Sequence, residues 1–186
     1  MCIRDSSWLM ERAARTRYSP WAVANLLLRG PLDDQPGAPP SWDNVVYGAQ
    51  GLGYVDATHQ KLDPTPGPTV LTCYFAPGEK QRSALLDAPW QHWRDQAVAG
   101  LLKPHPDLTE KLTRVEVTRY GHAMAIPVPG MRAASHGSVP RAGRISFAHA
   151  DWAGYSIFEE AFTLGHLAGG EAAKNLSASA PRSRRP

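Results

Sequence analysis

Three stretches rich in proline and glycine, at 30–40, 64–68 and 127–143, punctuate this 186-residue chain and fix where its regular elements begin and end. Ahead of the first, Pro20 to Leu28 is an apolar run that reads as a buried strand. Past it, Asn44–Tyr47 and Tyr54–His59 read as two strands joined by a glycine-rich hairpin turn over Gly48–Gly53. Thr69–Phe75 is β-branched and aromatic, which favours a strand. A helical region is expected over Glu79–Lys103, with Pro89 near the start of its second half and a buried stripe at Trp90, Trp93, Ala97 and Leu101. Lys103-Pro104-His105-Pro106 ends it, and Leu112–Tyr120 alternates as a strand does.

After the last loop, Arg144–Ala150 reads as a short strand, and a helix follows from Ser156 to about Leu176. Ser156 and Glu159 have the spacing of a capping box, which opens a helix with reciprocal side-chain bonds to exposed N–H groups. Phe158, Ala161, Phe162, Gly165, Ala168 and Ala172 recur near the helical period and are mostly small, so this face is expected to press against a sheet. Gly165, Gly169 and Gly170 each weaken a helix by up to about 1 kcal/mol, and close approach to a neighbour would offset that. The expected class is α+β: an antiparallel sheet with a helix layer, closing on a strand–helix segment.

Composition excludes several roles. The net charge is +3, and Arg182, Arg184 and Arg185 of the Ser/Ala/Pro/Arg tail supply three positives, so the rest balances and no nucleic-acid surface is expected. The longest apolar run, around Asn25, falls far short of a membrane span. Cys73 is expected as a buried small hydrophobe, with no disulfide framework. No H-E-x-x-H or Cys/His pairing at metal-ligand spacing occurs, so no metal is expected, and there is no G-x-S-x-G nucleophile elbow.

The run Phe147-Ala148-His149-Ala150-Asp151, followed by Trp152-Ala153-Gly154-Tyr155-Ser156-Ile157-Phe158-Glu159-Glu160-Ala161 and then Gly165, resembles the C-terminal flavin-binding segment of the flavin amine oxidase and phytoene desaturase superfamily. The resemblance implies an FAD-dependent oxidoreductase, an α/β flavoprotein of which this chain is the C-terminal part. It implies that Asp151 holds the ribityl or phosphate linkage, and that N–H groups at Ser156 and Ile157 face the flavin pyrimidine edge. Trp152, Gly154 and Tyr155 complete the implied FAD contacts. A helix N-terminus favours the negative charge of reduced flavin there. His149 stands where the family usually has a small residue.

The strand before this segment delivers side chains to the flavin face in related enzymes, so the Tyr120-Gly121-His122 turn supplies the expected substrate contacts. His122 is the candidate base and Tyr120 the candidate wall, with His59 second to them. On this reading residues 7–140 belong to a substrate-binding domain, 141–176 to the FAD segment and 177–186 to a disordered tail. Met1–Ser6 matches the translation of a transposase adaptor used in sequencing libraries, and is set aside as a scar. No G-x-G-x-x-G fingerprint is present, so the Rossmann portion is expected on a missing N-terminal part of the same chain. The expected partner is a small organic substrate, amine-like or lipid-like, and the expected location cytoplasmic. The rival expectation is a non-catalytic binding module that kept the fold.

Overall fold

In a computed structural model the protein is described over residues 6–63, 65–131, 139–154 and 156–179. The chain divides into two compact units, Ser19–Ala123 and Met1–Tyr18 with Met124–Pro186.

The first unit is built on a five-stranded antiparallel sheet of order β2-β3-β4-β1-β5. Its strands are β1 (Tyr18–Leu28), β2 (Asp43–Asn44), β3 (Gly53–Asp56), β4 (Thr69–Phe75) and β5 (Leu112–Ala125). Strict alternation makes the central pair one-sided: Ala22, Ala24, Leu26 and Leu28 of β1 are buried, as are Thr69, Leu71, Cys73 and Phe75 of β4. Register sets these residues directly opposite one another, with small Ala22 facing Phe75 and Leu26 facing Leu71. On the other face Thr72 donates its hydroxyl to Asn25 at 2.8 Å, and Trp21 meets Tyr74 edge-on. Leu85, Ala97, Leu101 and Leu108 close the core. They belong to α2 (Arg82–Asp87), α3 (Trp90–Leu102) and α4 (Leu108–Lys111).

Several expectations need correction here. The continuous helical region over Glu79–Lys103 is a 3₁₀ turn at Glu79–Gln81 followed by α2 and α3. Pro89 lacks an N–H and crowds the preceding turn, so Ala88 is extended and Pro89 becomes the N-cap of α3. Trp90 leaves the expected stripe; it is 45% exposed, with Arg94 over its ring. The strand over Asn44–Tyr47 shrinks to Asp43–Asn44, and Val45 and Tyr47 are exposed. The strand from Tyr54 stops at Asp56, because the Asp56 carboxylate accepts from the Thr58 N–H and starts a 3₁₀ turn over Ala57–Gln60. Tyr120-Gly121-His122 is not a turn: it lies inside β5.

The second unit contains α1 (Ser7–Arg15), the two-stranded ribbon β6 (Arg141–Ala142) and β7 (Ile145–Ser146), and α5 (Phe158–Ser179). Only Ile145–Ser146 of the expected strand Arg144–Ala150 is in a ladder. Gly143, at φ +59°, turns the chain back so that Ile145 pairs with Ala142. Phe147 then joins Trp8 and Trp152 in an aromatic cluster, with ring centroids 5.4–6.4 Å apart. Ala150–Ala153 form a 3₁₀ turn instead of a strand end. The expected packing face of α5 is open: Phe158 and Phe162 are 75% and 63% exposed, and a Cβ at Gly165, Gly169 or Gly170 would meet nothing within 4 Å. Leu164 is the buried anchor of this helix. None of the described helices is long and apolar enough to cross a membrane.

Candidate functional site

Asp151 sits on the one-turn 3₁₀ helix whose N-cap is His149. Gly154 closes that turn in the left-handed region at φ +87°, where an added Cβ would come within 3.0 Å of the Met131 side chain. Glycine is therefore required twice over, by backbone and by space.

Both carboxylate oxygens of Asp151 are engaged. The Tyr18 hydroxyl donates to Oδ2 at 2.6 Å and the Ser156 hydroxyl donates to Oδ1 at 3.2 Å. Ser156 Oγ in turn accepts the Ala125 N–H at 2.9 Å. The expected capping box is corrected accordingly, since α5 starts two residues later, at Phe158, and the Ser156 hydroxyl is turned to Asp151 and Ala125. Burial, then the hydrogen bond to Asp151, then the charge of Asp151 push the Tyr18 phenol up to about 12.

His149 Nδ1 accepts the Asp151 N–H at 3.2 Å and also lies 3.3 Å from Oδ1.

A cavity of about 220 Å³ opens beside this carboxylate, walled among others by Leu9, Arg12, Thr16, Tyr18, Asp151 and Trp152. Arg12 donates to the Met131 and Trp152 carbonyls at 2.8 and 2.5 Å, and its guanidinium lies 5.6 Å from the Trp152 ring centroid. Arg12 Nε is buried, with no hydrogen-bond partner among the described residues.

The chain matches no protein-family model and no curated protein. The site's own geometry must therefore carry its reading.

The expected FAD residues Asp151, Trp152, Gly154, Ser156 and Ile157 stand together in the second unit, whereas Tyr155 lies outside the described residues. Tyr120 and His122 fall in the first unit, on β5, two apart and hence on one face of the strand; both are exposed. His59 ends up exposed on the 3₁₀ turn after β3. The sequence pattern as read above leaves out α1, and with it Arg12. The signal for this helix is the pairing of Trp8 with Arg12 and of Leu9 with Ala13 at i, i+4, whereas nothing local marks Tyr18.

A flavin can be tested against these residues. A carboxylate has about four acceptor positions, and the two hydroxyl donors leave Asp151 capacity for a ribityl hydroxyl. The Ser156 and Ile157 N–H groups donate to no other described residue, and Ile157 and Phe158 leave the opening of α5 uncovered. The cavity is smaller than the roughly 300–1,000 Å³ of cofactor clefts, so it takes only part of a dinucleotide.

Proposed function

We propose that this chain is the C-terminal part of an FAD-dependent oxidoreductase of the flavin amine oxidase and phytoene desaturase type, acting on an amine-like or lipid-like substrate. The observation that carries the reading is the pairing of a partly exposed carboxylate, Asp151, with the uncovered first turn of α5, which begins four residues beyond Gly154. Asp151 would hold the ribityl or diphosphate region. Ser156 and Ile157 would present N–H groups to the pyrimidine edge, where the helix end favours negative charge. Trp152 and Tyr155 would wall the ring. Bound flavin supplies the two-electron chemistry, accepting a hydride from the substrate.

His122 would orient a polar substrate group or accept a proton, and Tyr120, on the same strand face, would line its path. The self-contained Ser19–Ala123 unit, with its antiparallel sheet, supports a substrate-binding role for that part of the chain.

A second reading, a non-catalytic binding module, is favoured by one observation: both Asp151 oxygens already serve hydroxyls of the chain itself. The experiment is to express the gene together with its upstream coding sequence and look for a flavin absorbance band that survives gel filtration. The oxidoreductase reading expects the band, and its loss on Asp151→Ala. A folded, colourless protein refutes it in favour of the module.

A further inference from the structure

The Lys103-Pro104-His105-Pro106 corner between α3 and α4 sends one titratable side chain inward. His105 is only 8% exposed, and its Nε2 lies 2.6 Å from the hydroxyl of Tyr54, which is equally buried. Tyr54 is the buried residue of β3, the four-residue strand that carries β2 at the edge of the sheet. The contact therefore ties the helical corner to the outermost strands.

A single hydrogen lies between Tyr54 Oη and His105 Nε2, and either group can supply it while the ring is neutral. A second proton gives the same cation from either tautomer. Both ring nitrogens then donate. Nδ1 is buried with no partner among the described residues, and the Tyr54 hydroxyl, turned into an acceptor, has none for its own hydrogen. Protonation thus leaves two buried hydrogens without acceptors and adds a buried charge.

The surrounding charges do not cancel this cost. Asp56 of β3 and Asp107 of the corner itself draw a proton toward the ring, but burial outweighs them and lowers its proton affinity. Asp56 Oδ1 already accepts from the Thr58 N–H and from the Thr58 and Thr69 hydroxyls. Asp107 Oδ2 accepts from Lys111 at 2.8 Å and from the Asp33 N–H at 2.9 Å, while its Oδ1 is buried and unpartnered among the described residues. Asp33, Asp34 and His59 share a cavity wall with the pair, and Cys73 of β4 sits opposite Tyr54 in the ladder.

We propose that the Tyr54–His105 contact is an acid-released latch: when His105 takes a proton, β3 and β2 loosen from the sheet while β1 and β4 stay paired. The strands give way rather than the corner, because Leu101 and Leu108 on either side of His105 are 2% and 0% exposed in the core. β3 has one buried side chain and a two-residue neighbour to hold it. The latch is closed in full above the ordinary histidine value of 6.5, and the closed-to-open ratio falls by up to about tenfold for each pH unit below it, until the lowered value of the closed state is reached. The inference does not depend on the flavin reading, since every residue in it belongs to the other unit.

The test is amide exchange of the full chain by NMR between pH 7.5 and 5, corrected for intrinsic exchange, with the His105 ring titrated in the same samples. Opening of residues 53–56 should rise severalfold as pH falls, while amides of Leu26 and Leu71 stay protected. His105→Gln keeps a polar group for Tyr54 and takes no proton, so its opening should be flat across the range. Should that variant fail to fold, the wild-type contrast between β3 and the central pair still decides the matter. Equal loss of protection in all three strands, a pH dependence retained in His105→Gln, or a His105 ring that titrates above 6.5 because Asp107 takes its Nδ1–H each overturns the proposal.

Discussion

Tyr18→Phe removes one hydroxyl, the one that donates to Asp151 at 2.6 Å. A hydrogen bond to an ionised acceptor contributes roughly 1.5–3 kcal/mol, which partial exposure lowers to about 1–2 kcal/mol. The acidity of the phenol moves in the same direction. It rises from 10.0 to about 12, through burial first, then the hydrogen bond to Asp151, then its charge. Two pH units set a ceiling of roughly 2.7 kcal/mol, and solvent screening brings this into the same range. The folded state holds this proton more tightly than the unfolded chain does. The contribution is therefore whole below about pH 10 and is lost as pH rises from about 10 to 12. Urea unfolding, followed through amide signals of α1 and of residues 150–154, should show Tyr18→Phe destabilised by about 1–2 kcal/mol at neutral pH, with the gap closing toward about pH 12. Asp151→Asn should lower the Tyr18 midpoint part-way toward its ordinary value, because the burial contribution persists. Parallel pH profiles for wild type and Tyr18→Phe, or an unmoved midpoint in Asp151→Asn, would refute the reasoning.

Three further outcomes are expected. Gly165→Ala and Gly169→Ala should each stabilise α5 by roughly 0.5–1 kcal/mol in amide exchange, since an added Cβ meets nothing; a loss would reveal a close neighbour. Gly53→Ala should cost at least about 2 kcal/mol in chemical unfolding, because Gly53 sits at φ +115° and its Cβ would fall 2.0 Å from the Asn44 carbonyl oxygen. A neutral effect would mean that β2 is dispensable. Burial pushes the Cys73 thiol up to about 12, so in a Cys2→Ser background it should resist an aromatic disulfide reagent at pH 8 until the protein is unfolded; prompt reaction in the native state would contradict the buried core position.

The two central strands were legible because alternation at period two is a local property: β4 spans the expected Thr69–Phe75, and β1 the expected run with two more residues at its start. β5 was legible in type but not in length, since Tyr120-Gly121-His122 looks like a turn and is held in the strand instead. Arg82 donates to the Gly121 carbonyl at 2.7 Å, and a side chain larger than glycine would press on Leu86. The boundaries that failed are those decided by single side-chain bonds, such as the Asp56 carboxylate that ends β3.

At the candidate site the sequence identified Asp151 but not what meets it. Tyr18 lies 133 residues away, and no local pattern encodes a contact at that separation. The final helix shows the same limit from the other side. Phe158, Phe162 and the glycines have the spacing of a packing face, yet among the described residues they pack on almost nothing, apart from the two rings stacked on each other. Periodicity specifies which residues share a face, whereas burial needs a second surface whose position depends on distant pairings. The alanine substitutions at Gly165 and Gly169 thus separate two meanings of one pattern: stabilisation assigns the glycines to an open surface, and destabilisation assigns them to a contact surface.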